Sequence, residues 1–368
     1  MPVSIYDIAK KANVSPSTVS RALQDHPRIG AKTKQRILAL AKEMDYIPST
    51  VAKSLIANRT WTIGMVLSTI SDPFMGRVIE GVEHAAIAAG FNVFLSTSQN
   101  DQQREIAIIE VFQQRRVDGI IVIASHLIDR YSRYFERSKV PIVVINEQEP
   151  GETIHFVTVD DVHGSRLAVE HLVGLGHRRI GYVGVTNRPK SNRYRLRGYQ
   201  LALEAHGIAY DPALVFDSDT IEDHAKRGEA SLAPLVAAGA TAIFCFNDSI
   251  AMGVLASCYS RGLVVPTDLS VVGFDDIDTA AYSIPPLTTV HQPRFELGRL
   301  AMQMLLDILD GQQPENKFLY GELVIRGTTG QAISSKKQQS TALPIGATSH
   351  ADDARYTGWP DARQPDIA

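Results

Sequence analysis

Cysteine is nearly absent, with Cys245 and Cys258 the only two in 368 residues and neither in a CxxC spacing or beside a histidine cluster. That scarcity excludes a disulfide scaffold and offers no zinc-ligand pattern. Cys245 in the apolar run TAIFCF and Cys258 in a helical stretch read as core residues. Long hydrophobic runs are missing too, since no segment approaches the roughly 18 apolar residues of a membrane span. The opening MPVSIYDIAKKANVS carries polar and charged residues where a signal peptide needs an apolar stretch, so a cytoplasmic chain with no membrane partner is expected. Phosphate-cradling and catalytic signatures are lacking as well: no GxGxxG follows a strand, and there is no GxxxxGK[ST], HExxH or GxSxG. The carboxylate pairs Asp160-Asp161 and Asp275-Asp276 each read as including a helix cap or a solvent residue rather than forming a catalytic dyad. No catalytic residue, cofactor or metal ligand is therefore expected.

What is present is unevenly charged. The net charge of −3 conceals ten Lys/Arg against four Asp/Glu in residues 1–60, a net of +6, and 27 against 36 in the rest, a net of −9. A basic head on an acidic body points to a polyanion bound by the head alone.

The head, residues 4–45, reads as three short helices without a strand signal. Ile5, Ile8, Ala9 and Ala12 share one face at helical spacing. Asn13 can take the left-handed conformation of the turn that follows. Ser15 is then a helix N-cap and Pro16 a first helical residue, with Val19, Ala22 and Leu23 inward. The third helix runs from about Ala31 to Met44 and turns Ile37, Leu38, Leu40 and Ala41 inward.

From Trp61 the pattern becomes strands alternating with helices. TIGMVL, FNVFLS, DGIIVIA, PIVVIN, HFVTV, RIGYVGV, ALVF, TAIFCF and LSVVGFDD read as strands, and residues 74–89, 161–175, 192–206, 222–238 and 247–261 as helices. Strands apolar throughout and joined by crossover helices mean buried parallel sheet, and so many strands suit two doubly wound lobes of similar size. Residues 331–368 are polar and aperiodic and read as a disordered tail, without the heptads of a C-terminal helical bundle.

IYDIAKKANVSPSTVSRAL followed by PRIGAKTKQRILALAKEMDYIPSTVAKSLIANRT closely resembles the head of the lactose-repressor (LacI/GalR) family, and the likeness continues to residue 330. Asn13 stands where the family usually has glycine, and Gly30 where the third helix often has a serine cap; both are physically acceptable there. The chemistry stands without the likeness. Ser15, Ser17, Thr18, Ser20 and Arg21 put short hydroxyls and an arginine on the second helix, able to meet phosphates and base edges. The resemblance implies that Pro16 and Ser17 mainly set the operator sequence and that Arg28 touches DNA just beyond this helix. Pro48–Leu55 resembles the family's hinge helix, only about two turns long and unstable alone in water. Two copies packed in a minor groove could be stable, with Ala52 allowing close approach and Leu55 matching the leucine wedged between base pairs.

The body resembles the family's regulatory domain and the periplasmic sugar-binding fold, so a ligand is expected between lobes, beyond the carboxyl ends of the strands. The implied effector-binding residues are Phe74, Asn146, Ser191, Arg195, Asn247 and Asp275, with Arg195, Gly198 and Tyr199 matching the family's R-x-x-G-[FY]. Arg195, Asn247 and Asp275 make a donor, mixed and acceptor set suited to vicinal hydroxyls. Asp248 reads as a helix cap, His126 as incidental, and Arg188, Lys190 and Arg193 as a solvated cluster more than an anion site.

The expected organisation is α/β: a helix-turn-helix head over residues 1–47, a hinge over 48–60, and a two-lobed sensor over 61–330. One lobe takes about 61–160 and 291–320, the other about 161–290 and 321–330; 331–368 is tail. The expected function is repression, through a homodimer on a near-palindromic operator, of transcription controlled by a small effector, a sugar or derivative. A transport-type binding protein would explain the body alone, and a sugar-active enzyme would need a catalytic constellation. A regulator that binds DNA only with its ligand, such as a nucleobase, remains open at this point.

Overall fold

The structure is a computed structural model that describes residues 3–46, 59–123, 140–146, 154–186, 188–218 and 220–332. The expected hinge helix with Ala52 and Leu55, the strand end at His126 and the tail from residue 333 lie outside the described residues.

The head holds α1 (Ile5–Ala12), α2 (Pro16–Leu23) and α3 (Ala31–Glu43). Asn13 closes α1 in the left-handed conformation, φ 47°, where its short polar side chain costs little. Ser15 caps α2 by accepting from the Thr18 amide at 3.2 Å, and Pro16 takes the first helical position. Gly30, with no side chain to cap, opens α3. Ile8, Ala9, Ala12, Val19, Ala22, Ile37 and Ala41 form one small core. Leu38, expected inward, is 42% exposed. It directly follows Ile37, so at 100° per residue only one of the two can sit at the centre of the buried stripe.

The body begins with β1 (Thr62–Leu67), α4 (Pro73–Ala88), β2 (Asn92–Thr97), α5 (Gln102–Gln114), β3 (Gly119–Ile123), β4 (Ile142–Ile145) and β5 (His155–Val159). Next come α6 (Asp161–Gly174), β6 (Ile180–Val183), α7 (Pro189–Ala205), β7 (Val215–Phe216), α8 (His224–Ala237), β8 (Ala242–Cys245), α9 (Asp248–Ser260) and β9 (Ser270–Val272). The last described elements are β10 (Thr289–His291), α10 (Arg294–Leu309), β11 (Lys317–Leu319) and β12 (Glu322–Val324). One parallel sheet runs β11-β5-β4-β3-β1-β2 and a second runs β7-β6-β8-β9. The chain crosses from the first to the second after β5, returns through β10 into α10 and β11, and leaves again to β12.

Two features depart from uniformly buried parallel strands. β2 pairs only with β1 at the edge of its sheet, and Phe94 and Leu95 on it are 53% and 38% exposed. β10 and β12 pair antiparallel as a separate two-stranded ribbon between the returning segments. Cys245 and Cys258 are buried in the core of the second sheet and its helices, as expected.

Both sheets are covered by helix pairs in close contact. Any Cβ at Gly81 of α4 would run into the Phe295 carbonyl, and one at Gly298 of α10 into the Val78 carbonyl, so the two backbones touch directly. Replacing Gly298 by alanine is therefore expected to lower folding stability by about 1–3 kcal/mol, read by urea unfolding. An unchanged midpoint would mean that α4 and α10 can part without loss.

The start of the body is tied to this lobe at its far side. Arg59 donates to the Leu309 carbonyl at 3.1 Å and pairs with Asp310 at 3.3 Å, at the end of α10. The Thr60 and Trp61 amides donate to the Asp118 carboxylate. Residues 59–61 are thus fastened to the end of α10 and to the residue just before β3.

Candidate DNA-binding and effector sites

The exposed side of α2 carries the chemistry expected of a recognition helix. The Ser15 hydroxyl shares hydrogen bonds of 2.8 Å with both the Ser17 and Thr18 hydroxyls, so the three form one polar cluster at the helix start. The positive end of the helix dipole adds to its attraction for phosphate. Pro16, Thr18 and Ser20 are half-buried, while Ser15, Ser17, Arg21 and Arg28 are exposed. The Arg21 and Arg28 guanidinium groups make no ion pair among the described residues. An exposed arginine held only by its own helix keeps all its donors for an outside acceptor.

The second constellation gathers at the carboxyl ends of parallel strands. Arg195, on α7, is 5% exposed; its Nε donates to Asp161 at 2.9 Å and its Nη1 to the Phe246 carbonyl, with Asp275 at 3.5 Å. Its guanidinium lies 3.8 Å from the Phe274 ring centroid and 4.3 Å from that of Phe246. Arginine suits such stacking because its planar, weakly hydrated cation tolerates an aromatic floor. Burial opposes the charge, but Asp161 and Asp275 outweigh it and hold the guanidinium above its ordinary pKa.

The R-x-x-G-[FY] pattern has a packing reason here. A Cβ at Gly198 would meet the Val162 carbonyl at 2.5 Å, so glycine lets α7 lie against α6. The Tyr199 hydroxyl donates to the Ile180 carbonyl at 2.8 Å and anchors the helix to β6. Arg195, one turn earlier, is then aimed at Asp161 on α6.

Asp275 follows β9 with φ 110°, a left-handed conformation disfavoured for a residue with a Cβ. Its carboxylate accepts from Gln292 Nε2 at 2.6 Å. Burial pushes its pKa up to about 7; Arg195 pulls the other way and Asp72 adds to the rise.

Asn247 is the cap of α9, accepting from the Ile250 amide at 3.0 Å, while its Nδ2 donates to His224 Nδ1 at 2.8 Å. Burial, reinforced by Arg188, pushes His224 down to about 4, so the ring is neutral and can accept. Asp248, read from sequence as that cap, does something else. It is fully buried and accepts from Thr289 Oγ1 at 2.5 Å and the Ile277 amide at 2.8 Å. The extended backbone of Asn247, φ −149°, makes Asn247 the capping residue.

Phe74 is 3% exposed and belongs to the core between β1, α4 and α10, so it packs within its own lobe. Asn146 ends β4 in the left-handed conformation, φ 62°, and Ser191 sits in the first turn of α7; both are half-buried. Among the described residues no side-chain hydrogen bond ties either of them to Arg195, Asn247 or Asp275. Asp160 caps α6 through the His163 amide at 2.9 Å, as its pairing with Asp161 suggested.

Two residues were missed. Asp161, set aside with its neighbour, is the nearest carboxylate to Arg195. Arg188, read as solvated, crosses between the lobes and pairs with Asp72 at 2.6 Å, the two side chains 15% and 13% exposed. A strand-end position would have flagged Asp72, which follows β1 and caps α4, accepting from the Phe74 amide at 2.9 Å. Nothing local marks Arg188 as an arginine that turns across.

A helix-turn-helix head followed by two parallel-sheet lobes, with buried charges meeting at the junction of the lobes, defines a ligand-responsive DNA-binding regulator. Known proteins agree. Residues 4–49 match the family described as bacterial regulatory proteins, lacI family, and residues 169–329 match a periplasmic binding protein-like domain. The HTH-type transcriptional repressor CytR of Escherichia coli (strain K12) is 35% identical over 325 residues, spanning 88% of this chain and 95% of CytR. The HTH-type transcriptional repressor PurR of Photobacterium profundum is 32% identical over 329 residues, with coverages of 88% and 97%. Among solved structures, the Lac repressor dimer bound to operator and the anti-inducer ONPF superposes with a TM-score of 0.81 at 29% identity, covering 90% of this chain and all of that one. This chain belongs to the LacI family of bacterial regulatory proteins.

Proposed function

We propose that the chain is a transcriptional repressor that binds a near-palindromic operator as a homodimer and whose operator affinity is set by a small effector, a sugar or sugar derivative. Residues 1–47 form the DNA-binding head, 48–60 the hinge and 61–330 the effector-binding and dimerising body, with 331–368 as a tail. The Lac repressor structure, a dimer on its operator with a small ligand, is the pattern that supports the dimer and the ligand together. Ser15, Pro16, Ser17, Thr18, Ser20, Arg21 and Arg28 meet the DNA, helped by Ala52 and Leu55 of the hinge. Its DNA partner places the protein in the cytoplasm.

One observation carries the effector reading: Arg195, Asp161 and Asp275 hold an arginine and two carboxylates, each side chain at most 8% exposed, where the two lobes meet. Asn247, next to the Phe246 carbonyl that Arg195 meets, and Ser191, one turn before Arg195 on α7, accompany that group, and Asn146 and Phe74 complete the proposed effector-binding set. Every strong polar group in it has a partner that positions it. That suits recognition, and leaves no nucleophile beside a free base, so catalysis is not proposed. Closing or opening the lobes moves the part of the body that holds Arg59, and hence the spacing of the two hinges. A coupling of about 1–3 kcal/mol would change operator affinity about 5–150-fold.

Selection of bound duplexes from a random pool, followed by gel shift with ligands found in a thermal-shift screen, tests this. Enrichment of a near-palindrome whose affinity a sugar-like hit changes is the expected result. A pool that stays random would overturn the regulator reading, and operator binding indifferent to every stabilising ligand would overturn the effector reading.

A further inference from the structure

The cleft ion pair that links the lobes limits what an effector can be. Arg188, the N-terminal boundary residue of α7, reaches Asp72 at the start of α4, and its Nη2 also stands 3.5 Å from the Ser68 hydroxyl. The turn that carries Asp72 is gripped from the opposite side as well. Arg294 donates to the Pro73 carbonyl at 3.4 Å and to the Asp276 carbonyl at 2.7 Å, and pairs with Asp278 at 3.2 Å. Asp72 is thus held where it is and cannot swing away from Arg188 freely.

Two arginines at this junction already have carboxylate partners. Arg188 faces Asp72, and Arg195 faces Asp161 and Asp275. Lys190 and Arg193, on the same turns of α7, already have interactions of their own, Arg193 over the Tyr194 ring at 5.9 Å. A phosphate or carboxylate entering here would have to share Arg188 with Asp72. It would add a negative charge beside Asp72 in a half-buried site that already holds Asp275, a like-charge arrangement that low dielectric makes costly. A neutral hydroxyl faces no such cost, because a guanidinium–carboxylate pair offers it a donor and an acceptor side by side.

We propose that Asp72 acts as a charge gate on the effector cleft: by holding Arg188 it excludes anionic ligands and restricts the effector to an uncharged, polyhydroxylated molecule. This inference rests on the effector reading above and narrows it to free sugars, polyols and nucleosides, against their phosphates and acids.

The probe is inorganic phosphate, which needs no knowledge of the true effector. Thermal midpoints of the full chain are compared in phosphate and in chloride at equal ionic strength for wild type, Asp72→Asn and Asp72→Asn/Arg188→Met. Asparagine keeps the cap oxygen for the Phe74 amide, and Asp72→Ser, with a capping hydroxyl, serves if the first variant fails to fold. The general salting effect of phosphate is common to all three proteins. Beyond it, Asp72→Asn is expected to gain about 2–4 °C at phosphate well above its dissociation constant, and the double variant to lose that gain. A wild type that gains as much as Asp72→Asn shows Arg188 already open to anions, and a single variant that gains nothing shows that Asp72 was not the barrier; either overturns the gate. Wild-type selection of duplexes from the random pool is scored separately, so a failed gate and a failed regulator reading leave different marks.

Discussion

Replacing Arg195 by alanine is expected to destabilise the protein by about 3–5 kcal/mol and to abolish the effector response with it. Asp161 and Asp275 would keep their positions and lose their shared cation, with their side chains only 7% and 8% exposed. The penalty is that of removing the cation that faces two buried carboxylates, and it greatly exceeds the value of a surface ion pair. It should also depend on pH in a definite direction. Burial already raises Asp275 to about 7, and without Arg195, which pulls it down, it is held still higher. A carboxyl whose folded-state pKa is raised contributes stability that is fully present below its unfolded value and lost as pH rises through the folded one. Arg195→Ala should therefore lie closer to wild type at pH 5 than at pH 8. Urea unfolding at the two pH values decides it: a loss under about 1 kcal/mol at both would mean that solvent, and not Arg195, satisfies the two carboxylates. The same argument makes this variant a poor probe of ligand contact alone. Asp275→Asn, which keeps the Gln292 contact and removes a charge, is the cleaner substitution for that purpose.

Replacing Arg21 by alanine should abolish preference for the selected operator while leaving the fold and the effector response intact. Arg21 is exposed on α2 and has no carboxylate to compete for it among the described residues. A bidentate contact to guanine is worth about 1–3 kcal/mol of discrimination, or about 5–150-fold in affinity for operator over mismatched duplex. Fluorescence anisotropy on both duplexes over a salt series reads this directly. Operator and mismatched duplex weakening by the same factor would assign Arg21 to phosphate, and unchanged operator affinity would remove it from the interface. Arg28→Ala in the same series separates the two modes of contact, since losing a phosphate contact lowers the salt slope by about one for every sequence.

How much of this was legible from the chain varies with the reach of the interaction that decides it. The head was readable because its decisive features are local. Ser15 caps and Pro16 starts a helix within four residues of each other, and Asn13 closes the helix before them. The one slip, Leu38, concerns two adjacent apolar residues on one helix, and which of them faces inward depends on the docking of α3. In the body the strands and most helices were legible as apolar runs, including the core placement of Cys245 and Cys258. β10, β11 and β12 were not, because the short segments TVH, KFL and ELV lack the apolar run that made β9 stand out.

The effector cleft was legible only in part. Strand-end position and the motif around Arg195 pointed to Arg195, Asn247 and Asp275; Arg195 and Asp275 lie 3.5 Å apart, while the Asn247 side chain bonds His224. Their partners did not announce themselves: Asp161 lies 34 positions from Arg195, and Asp72 lies 116 from Arg188. The family resemblance implied a ligand contact for Phe74, and its ring is packed in the core of its own lobe.

The sequence by itself determined the helix-turn-helix head, the alternation of buried strands and helices, the charge division between head and body, and which side chains stand at strand ends. All of these follow from residue type and short spacing, which the backbone reads within a turn or two. Only the tertiary structure decided which charges are paired, which aromatic rings are buried and which arginine crosses from one lobe to the other. A guanidinium in low dielectric goes to the nearest carboxylate in space, and distance in space is set by how α4, α6 and α7 dock, not by their order along the chain.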